Sequence, residues 1–280
     1  AGSPERAWVA KYGLPGLNLW QRRLGSPGDR MTFEDLALDG SDLYLAGTNL
    51  SSGTYRALLA KYPVAGDDNT PPVSATTFKP ADRDHAAAYS LAVSSDGKIY
   101  LGGTVGTGSL ISLEQDRALW KYDLNLAYQS GKIYVSSGAD TVDKDAVYAV
   151  AASSLGVFAA GNRFEHAPAI GGYNWWVAKV DPNSFDEVWT SLYNSKTNGA
   201  DSARGLLLMD GALYAAGYDQ TDYNGVNIVA MKYNPATGAR AWTKVMDGLW
   251  NCDNAMGVSV MPGVNGGLYV GGKFKMWGFE

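Results

Sequence analysis

One short phrase recurs along this chain: an apolar stretch that carries an aromatic residue and ends in glycine. It reads Leu43-Tyr44-Leu45-Ala46-Gly47, Ile99-Tyr100-Leu101-Gly102-Gly103 and Val157-Phe158-Ala159-Ala160-Gly161, then Leu213-Tyr214-Ala215-Ala216-Gly217 and Leu268-Tyr269-Val270-Gly271-Gly272. The aromatics stand at 44, 100, 158, 214 and 269, in steps of 56, 58, 56 and 55. Five units of that length account for all 280 residues. A fixed period of this size is the signature of a repeat architecture.

Each phrase follows an apolar strand and a tight turn, with the first strands expected at 35–39, 89–94, 147–152, 205–209 and 256–261. The first four phrases lead, past a polar loop, to a third strand with a lysine near its end, at 57–62, 118–122, 175–180 and 228–233. Fourth strands are expected at 75–78, 126–136, 188–193 and 240–245. Runs rich in Val, Tyr, Trp and Leu, bounded by Gly, Pro, Asn and Asp, read as strands. No segment carries a helical period.

The ends are the most informative part. The fifth unit stops after its second strand, and the missing third and fourth strands stand at the start, as Ala7-Trp8-Val9-Ala10-Lys11-Tyr12 and Leu17-Asn18-Leu19-Trp20. A ring of sheets cut inside one repeat has this form, and closing it removes exposed strand edges. The expected fold is all-β: a five-bladed β-propeller, its last blade closed by two N-terminal and two C-terminal strands. The whole chain, 1–280, would be one domain, with blade 1 at 25–80, blade 2 at 81–136, blade 3 at 137–194 and blade 4 at 195–248. Blade 5 would join 1–24 to 253–280.

Segments such as Gly97-Lys98-Ile99-Tyr100-Leu101-Gly102-Gly103 and Trp176-Val177-Ala178-Lys179-Val180-Asp181-Pro182 give the chain a further likeness. It resembles the bacterial β-propeller repeat proteins of the SBBP type. That resemblance implies a propeller with the first strand of each blade innermost, and it implies no chemistry. The family name implies seven blades, whereas this chain counts five.

In such a blade the loops between second and third strands share a face with those between fourth and first strands, because consecutive antiparallel strands alternate direction. Both sets are long here, so this face is the expected functional surface. Acidic residues recur just before the innermost strands: Asp29, Asp84, Asp143 with Asp145, Asp201 and Asp253. As a ring of oxygens they would suit a cation such as Ca2+; as turn caps they would simply accept backbone N–H bonds. Aromatics on or beside the long loops, Tyr55, Tyr173, Trp175, Tyr218, Tyr223 and Trp250, together with Arg204, would suit a glycan or a protein side chain.

Other chemistry is poorly provided for. Gly267 to Lys273 has phosphate-loop spacing but continues with Phe274 and lies along the repeat's own strand. Only His85 and His166 are present, and Cys252 is the single cysteine, so multi-histidine metal sites and internal disulfides lack parts. The net charge of −5 disfavours nucleic acid as a partner. No apolar run approaches the roughly 18 residues of a membrane helix. The Ser, Thr, Asn, Gly and Tyr content with little Lys points to an extracellular, periplasmic or cell-surface setting.

The leading expectation is a non-catalytic binding or scaffolding propeller that recognises a glycan or protein on its long-loop face. One alternative is a glycoside-processing enzyme, with its acid and base drawn from Asp29, Glu34, Asp84, Asp145, Asp201 or Asp253. Another is a structural module of a surface assembly.

Overall fold

The computed structural model describes residues 6–25, 29–108, 114–135, 144–165, 172–195, 199–220, 226–246, 253–263 and 267–275. Among them the regular structure is all strand, with no helix. The N-terminal hairpin comprises β1 (Ala7–Tyr12) and β2 (Asn18–Leu24). Blade 1 follows as β3 (Arg30–Asp39), β4 (Asp42–Ser51), β5 (Thr54–Pro63) and β6 (Ser74–Phe78). Blade 2 is β7 (His85–Val93), β8 (Lys98–Gly106), β9 (Gln115–Asp123) and β10 (Tyr128–Tyr134). Blade 3 is β11 (Ala146–Ser153), β12 (Gly156–Glu165), β13 (Gly172–Val180) and β14 (Glu187–Tyr193). Blade 4 is β15 (Ser202–Met209), β16 (Ala212–Gln220), β17 (Val226–Tyr233) and β18 (Arg240–Met246). The C-terminal hairpin is β19 (Asp253–Pro262) and β20 (Leu268–Lys275).

Each four-stranded sheet is an antiparallel meander in chain order. The first strands β3, β7, β11, β15 and β19 stand side by side in succession, which is how propeller blades meet at their axis. The remaining two sheets are the terminal hairpins; among the described residues β1 pairs with β2 and β20 with β19, and neither pairs with the other hairpin. The joined fifth blade expected from the sequence is therefore present as two separate halves.

The repeat lettering has a physical reason. The aromatic of the second strand lies directly opposite the lysine of the third: Tyr44 faces Lys61, Tyr100 faces Lys121, Phe158 faces Lys179 and Tyr214 faces Lys232. In three of these pairs the ammonium sits 5.4–5.7 Å from the ring centroid, a cross-strand cation–π contact. Each hydrophobic core is shared between neighbours: Tyr44 and Ala46 of blade 1 pack with Leu91 of blade 2, and Tyr100 of blade 2 packs with Val150 of blade 3. Both faces of an inner blade are thus covered, so its strands read as continuous apolar runs instead of alternating.

The first strands begin earlier than the sequence suggests, and the long loop of blade 1 is in fact a tight turn. β4 and β5 are joined by Ser52 and Gly53, both with positive φ of 50° and 78°, the conformation of a two-residue hairpin turn. The segment with phosphate-loop spacing runs into β20 as extended strand. His85 is a buried core residue whose Nδ1 accepts the Tyr55 N–H at 3.2 Å.

Candidate functional site

The innermost strands carry the same irregularity in every complete blade. Pairing slips by one residue between Phe33 and Asp35, Ala88 and Ser90, Val147 and Ala149, and Ala203 and Gly205. The residue left over is Glu34, Tyr89, Tyr148 or Arg204. In β19 the slip falls between Met256 and Ser259, which puts Val258 at the same register position.

The glycine that ends the repeat phrase belongs to this device. A Cβ added to Gly47, Gly103, Gly161 or Gly217 would be driven into the carbonyl oxygen of Thr32, Ala87, Ala146 or Ser202 on the neighbouring first strand. Only a residue without a side chain lets the bulged strand come this close. A bulge re-aims the extra residue, and here all four extra residues face the axis. Glu34, Tyr89, Tyr148 and Arg204 line one cavity of about 380 Å³, together with Ser90, Ser259 and Val260. First strands from all five units therefore surround one space.

Arg204 is the best-defined group in it. Its guanidinium carbon lies 3.5 Å from the Tyr148 ring centroid and 5.3 Å from that of Tyr218. Its Nη2 donates to the Tyr218 hydroxyl at 3.0 Å. The Tyr89 and Tyr148 rings are 5.2 Å apart and tilted by 31°. Burial pushes both phenols well above their ordinary range; neighbouring Tyr148 and Glu34 add to this for Tyr89, and Arg204 opposes it at both. Both therefore stay neutral and able to donate. The Nε of Arg204 is buried with no hydrogen-bond partner, and among the described residues no carboxylate is ion-paired with this arginine.

One residue further along each strand, the blades are tied to each other. Asp35 accepts the Ser90 hydroxyl and the Leu91 N–H, each at 2.8 Å, and Ser90 Oγ accepts the Val150 N–H at 3.1 Å. These bonds run from blade 1 through blade 2 to blade 3.

The acids expected at the channel mouth have structural partners. Asp84 accepts the Gly108 N–H at 2.5 Å, Asp145 the Phe164 N–H at 2.6 Å, and Asp201 those of Ser195 and Gln220 at 2.5 and 3.0 Å. Each ties the entry of a first strand to the end of the second, as a turn cap does. Asp145 also lies 3.7 Å from Arg117, whose guanidinium is 4.4 Å from the Trp176 ring centroid. Burial pushes Asp201 up to about 7; the two N–H donors oppose this and nearby Asp219 adds to it. Asp29 is half-buried. Asp143 and the side chain of Asp253 lie outside the described residues, as do Cys252 and His166. Among the described residues no three His, Cys, Asp or Glu gather as a cation site.

The aromatic platform is rearranged. Tyr55, Tyr173 and Tyr218 are strand residues, in β5, β13 and β16, because the hairpins extend further than the sequence suggests, and Trp175 lies in β13 as its expected strand implied. Trp175 is completely buried with Phe158 and Val229 between blades 3 and 4, so it is a core residue and not a ligand contact. Its neighbour Trp176 is buried as well; with blades on both sides, strand alternation leaves neither indole free. Tyr173 accepts the Lys144 N–H at 3.1 Å. Tyr223 and Trp250 lie outside the described residues. Of the aromatic and arginine candidates, the structure brings together Arg204 and Tyr218 and adds Tyr89 and Tyr148. The sequence holds a signal for these two: ten or eleven residues before each repeat aromatic it reads Glu34, Tyr89, Tyr148 and Arg204, so the period alone aligns both tyrosines with Arg204.

No family model matches the chain, and no curated protein sequence matches it. Among solved structures, a quinohemoprotein alcohol dehydrogenase from Pseudomonas putida HK5 overlaps 97 % of this chain and 60 % of its own, at 12 % identity and a TM-score of 0.48. The native arabinanase Arb43A of Bacillus subtilis overlaps 85 % of this chain and 92 % of its own, at 16 % identity and a TM-score of 0.43. A europium-containing methanol dehydrogenase overlaps 89 % of this chain and 60 % of its own, at 8 % identity and a TM-score of 0.45. The chain thus spans about three-fifths of the length of either dehydrogenase.

Proposed function

We propose that this chain closes into a five-bladed β-propeller and works as a non-catalytic binding module, taking a glycan into the mouth of its axial channel. For closure, β20 would lie beside β1 with Tyr269 opposite Lys11, completing the aromatic–lysine pair of the other blades. Lys11 already faces Trp20 as Lys179 faces Trp189 and Lys232 faces Trp242. A groove of about 350 Å³ lined by Trp8, Tyr12, Phe33 and Leu36 runs between β1 and β3, where the second strand of blade 5 would sit.

The observation that carries the binding reading is the axial cluster. At one register position the blades hold Glu34, Tyr89, Tyr148 and Arg204, three kinds of side chain on a scaffold whose glycine and aromatic letters repeat. A cavity of about 380 Å³ suits one or two sugar units and is small for a protein partner. Neutral phenols, an arginine and two carboxyl groups, Glu34 and the inter-blade tie Asp35, supply the donors, acceptors and ring faces that sugars need. A binding role is favoured over hydrolysis because Asp84, Asp145 and Asp201 are engaged with backbone N–H groups. Of the two carboxyl residues in the cavity, Glu34 and Asp35, the second is also engaged, held by Ser90 and Leu91 as a tie between blades. The polar, lysine-poor composition supports an exported or cell-surface setting.

The test is a glycan array run beside an assay of reducing-sugar release on the same polysaccharides. Saturable binding without release is expected. Release of sugar would replace the binding module with a glycoside-processing enzyme, and silence in both would leave a structural module of an assembly.

A further inference from the structure

Resting on the glycan reading above, we propose that the axial site selects an acidic sugar, a uronic acid whose carboxylate seats on Arg204. The equivalent residues in the other complete blades are Glu34, Tyr89 and Tyr148, so no repeated scaffold role calls for an arginine here. The guanidinium is nonetheless held in a defined place, stacked at 3.5 Å on Tyr148 and bonded at 3.0 Å to the Tyr218 hydroxyl. Both partners are uncharged, and the buried Nε has no acceptor.

A largely buried cation without a counter-ion is costly, and a buried donor without an acceptor adds to that cost. A ligand carboxylate answers both at once, because the guanidinium fork takes two carboxylate oxygens side by side. The phenol hydroxyls of Tyr89 and Tyr148 then supply donors to the rest of the sugar, and their rings supply flat apolar faces for the pyranose.

A second charged residue of the cavity decides the class of anion. Glu34 lines the same cavity, so a ligand crowded with negative charge would be repelled there while Glu34 accepts from sugar hydroxyls. One carboxylate at one end with hydroxyls at the other fits this polarity better than a sugar phosphate or a sulfated chain.

The experiment is calorimetric titration of the whole chain with mono- and disaccharides that carry a single uronic acid, each paired with its carboxyl-reduced, neutral counterpart. The acidic form is expected to bind at least about tenfold more tightly, as a lost charge-assisted bond implies. That advantage should disappear in Arg204→Gln at an unchanged melting temperature. Equal affinity for a neutral sugar and its acidic partner would overturn the carboxylate seat and leave the glycan reading standing. Absence of binding to every neutral and acidic glycan would overturn the glycan reading itself. Should Arg204→Gln fail to fold, the paired titration on the unaltered chain still decides the matter.

Discussion

Blades 1 to 4 and the terminal hairpins are written in the same sequence unit, yet the same letters are buried in one and exposed in the other. Tyr44, Tyr100, Phe158 and Tyr214 are 0–9 % exposed, whereas Tyr269 is 57 % exposed. Leu91 is 4 % exposed and its counterpart Leu36 is 55 % exposed. Trp8 stands where the other third strands bury Leu58, Ala118, Trp176 and Val229, and it too is exposed. The difference teaches that a blade does not make its own core. The aromatic of the second strand is covered by the next blade's first strand, as the mixed clusters show. In the proposed closed ring, the residues left uncovered, Tyr269 on one hairpin and Leu36 on blade 1, would be the two sides of a single contact.

The harshest way to break a complete blade is to fill its repeat glycine. Gly103→Ala would force a Cβ against the Ala87 carbonyl and the Trp120 ring, and packed backbone cannot move aside. The expected cost is more than about 4 kcal/mol, the range in which folding is lost. Gly271→Ala has open space around it, and blades 1, 3 and 4 already carry Ala46, Ala160 and Ala216 at that place. It should cost less than about 0.5 kcal/mol. Urea denaturation of the two variants measures the contrast; similar losses in both would mean that the bulge is not what fixes the glycine.

The second test asks whether the two hairpins meet. If the ring closes, Tyr269→Ala removes a buried aromatic and should cost about 2–4 kcal/mol, as Tyr100→Ala would. An isolated hairpin would lose under about 0.5 kcal/mol, and that result would sink closure. Amide exchange separates the cases independently, since the N–H groups of β1 along its free edge gain protection only when β20 pairs with them. The N-terminal half is already anchored: Arg22 donates to the carbonyls of Pro63, Ala65 and Asp67, and Trp20 Nε1 to that of Val64.

Most of this architecture was legible because spacing alone carries it. The second and third strands fall close to where the aromatic and lysine letters put them, and the fourth strands close to their expected ranges. What escaped is the beginning of each first strand. Glu34 and Arg204 interrupt the apolar pattern and fall just outside the strands expected from 35 and 205, whereas Tyr89 and Tyr148 fall inside theirs, and only their bulged register was hidden. The recurring acids were legible as letters, but their two roles were not separable without the backbone N–H groups of Gly108, Phe164 and Gln220 in view. Trp175 was misjudged for a different reason: alternation identifies a core face only when the other face is open to water.

The smallest effect separates blade 4 from blade 3 through their capping acids. Asp145 and Asp201 do the same work, but Asp145 has Arg117 beside it, while Asp201 has only uncharged donors in the pairs that can be described. Burial holds Asp201 up near 7 against an ordinary value of 3.8. A raised carboxyl favours the folded state while it is protonated. Its contribution is complete below the unfolded value and fades as pH rises from about 4 to about 7. Asp201→Asn mimics the protonated acid at every pH. The variant should therefore match the parent chain near pH 4, and exceed it by about 1–2 kcal/mol at pH 8, a discounted share of the shift. Because Asp35 is also raised by burial, the parent's own slope mixes two groups, and only the difference between parent and variant reports on Asp201. A difference that stays flat from pH 4 to 8 would mean that water reaches this carboxylate, and the cap in blade 4 would then be as open as an ordinary surface turn.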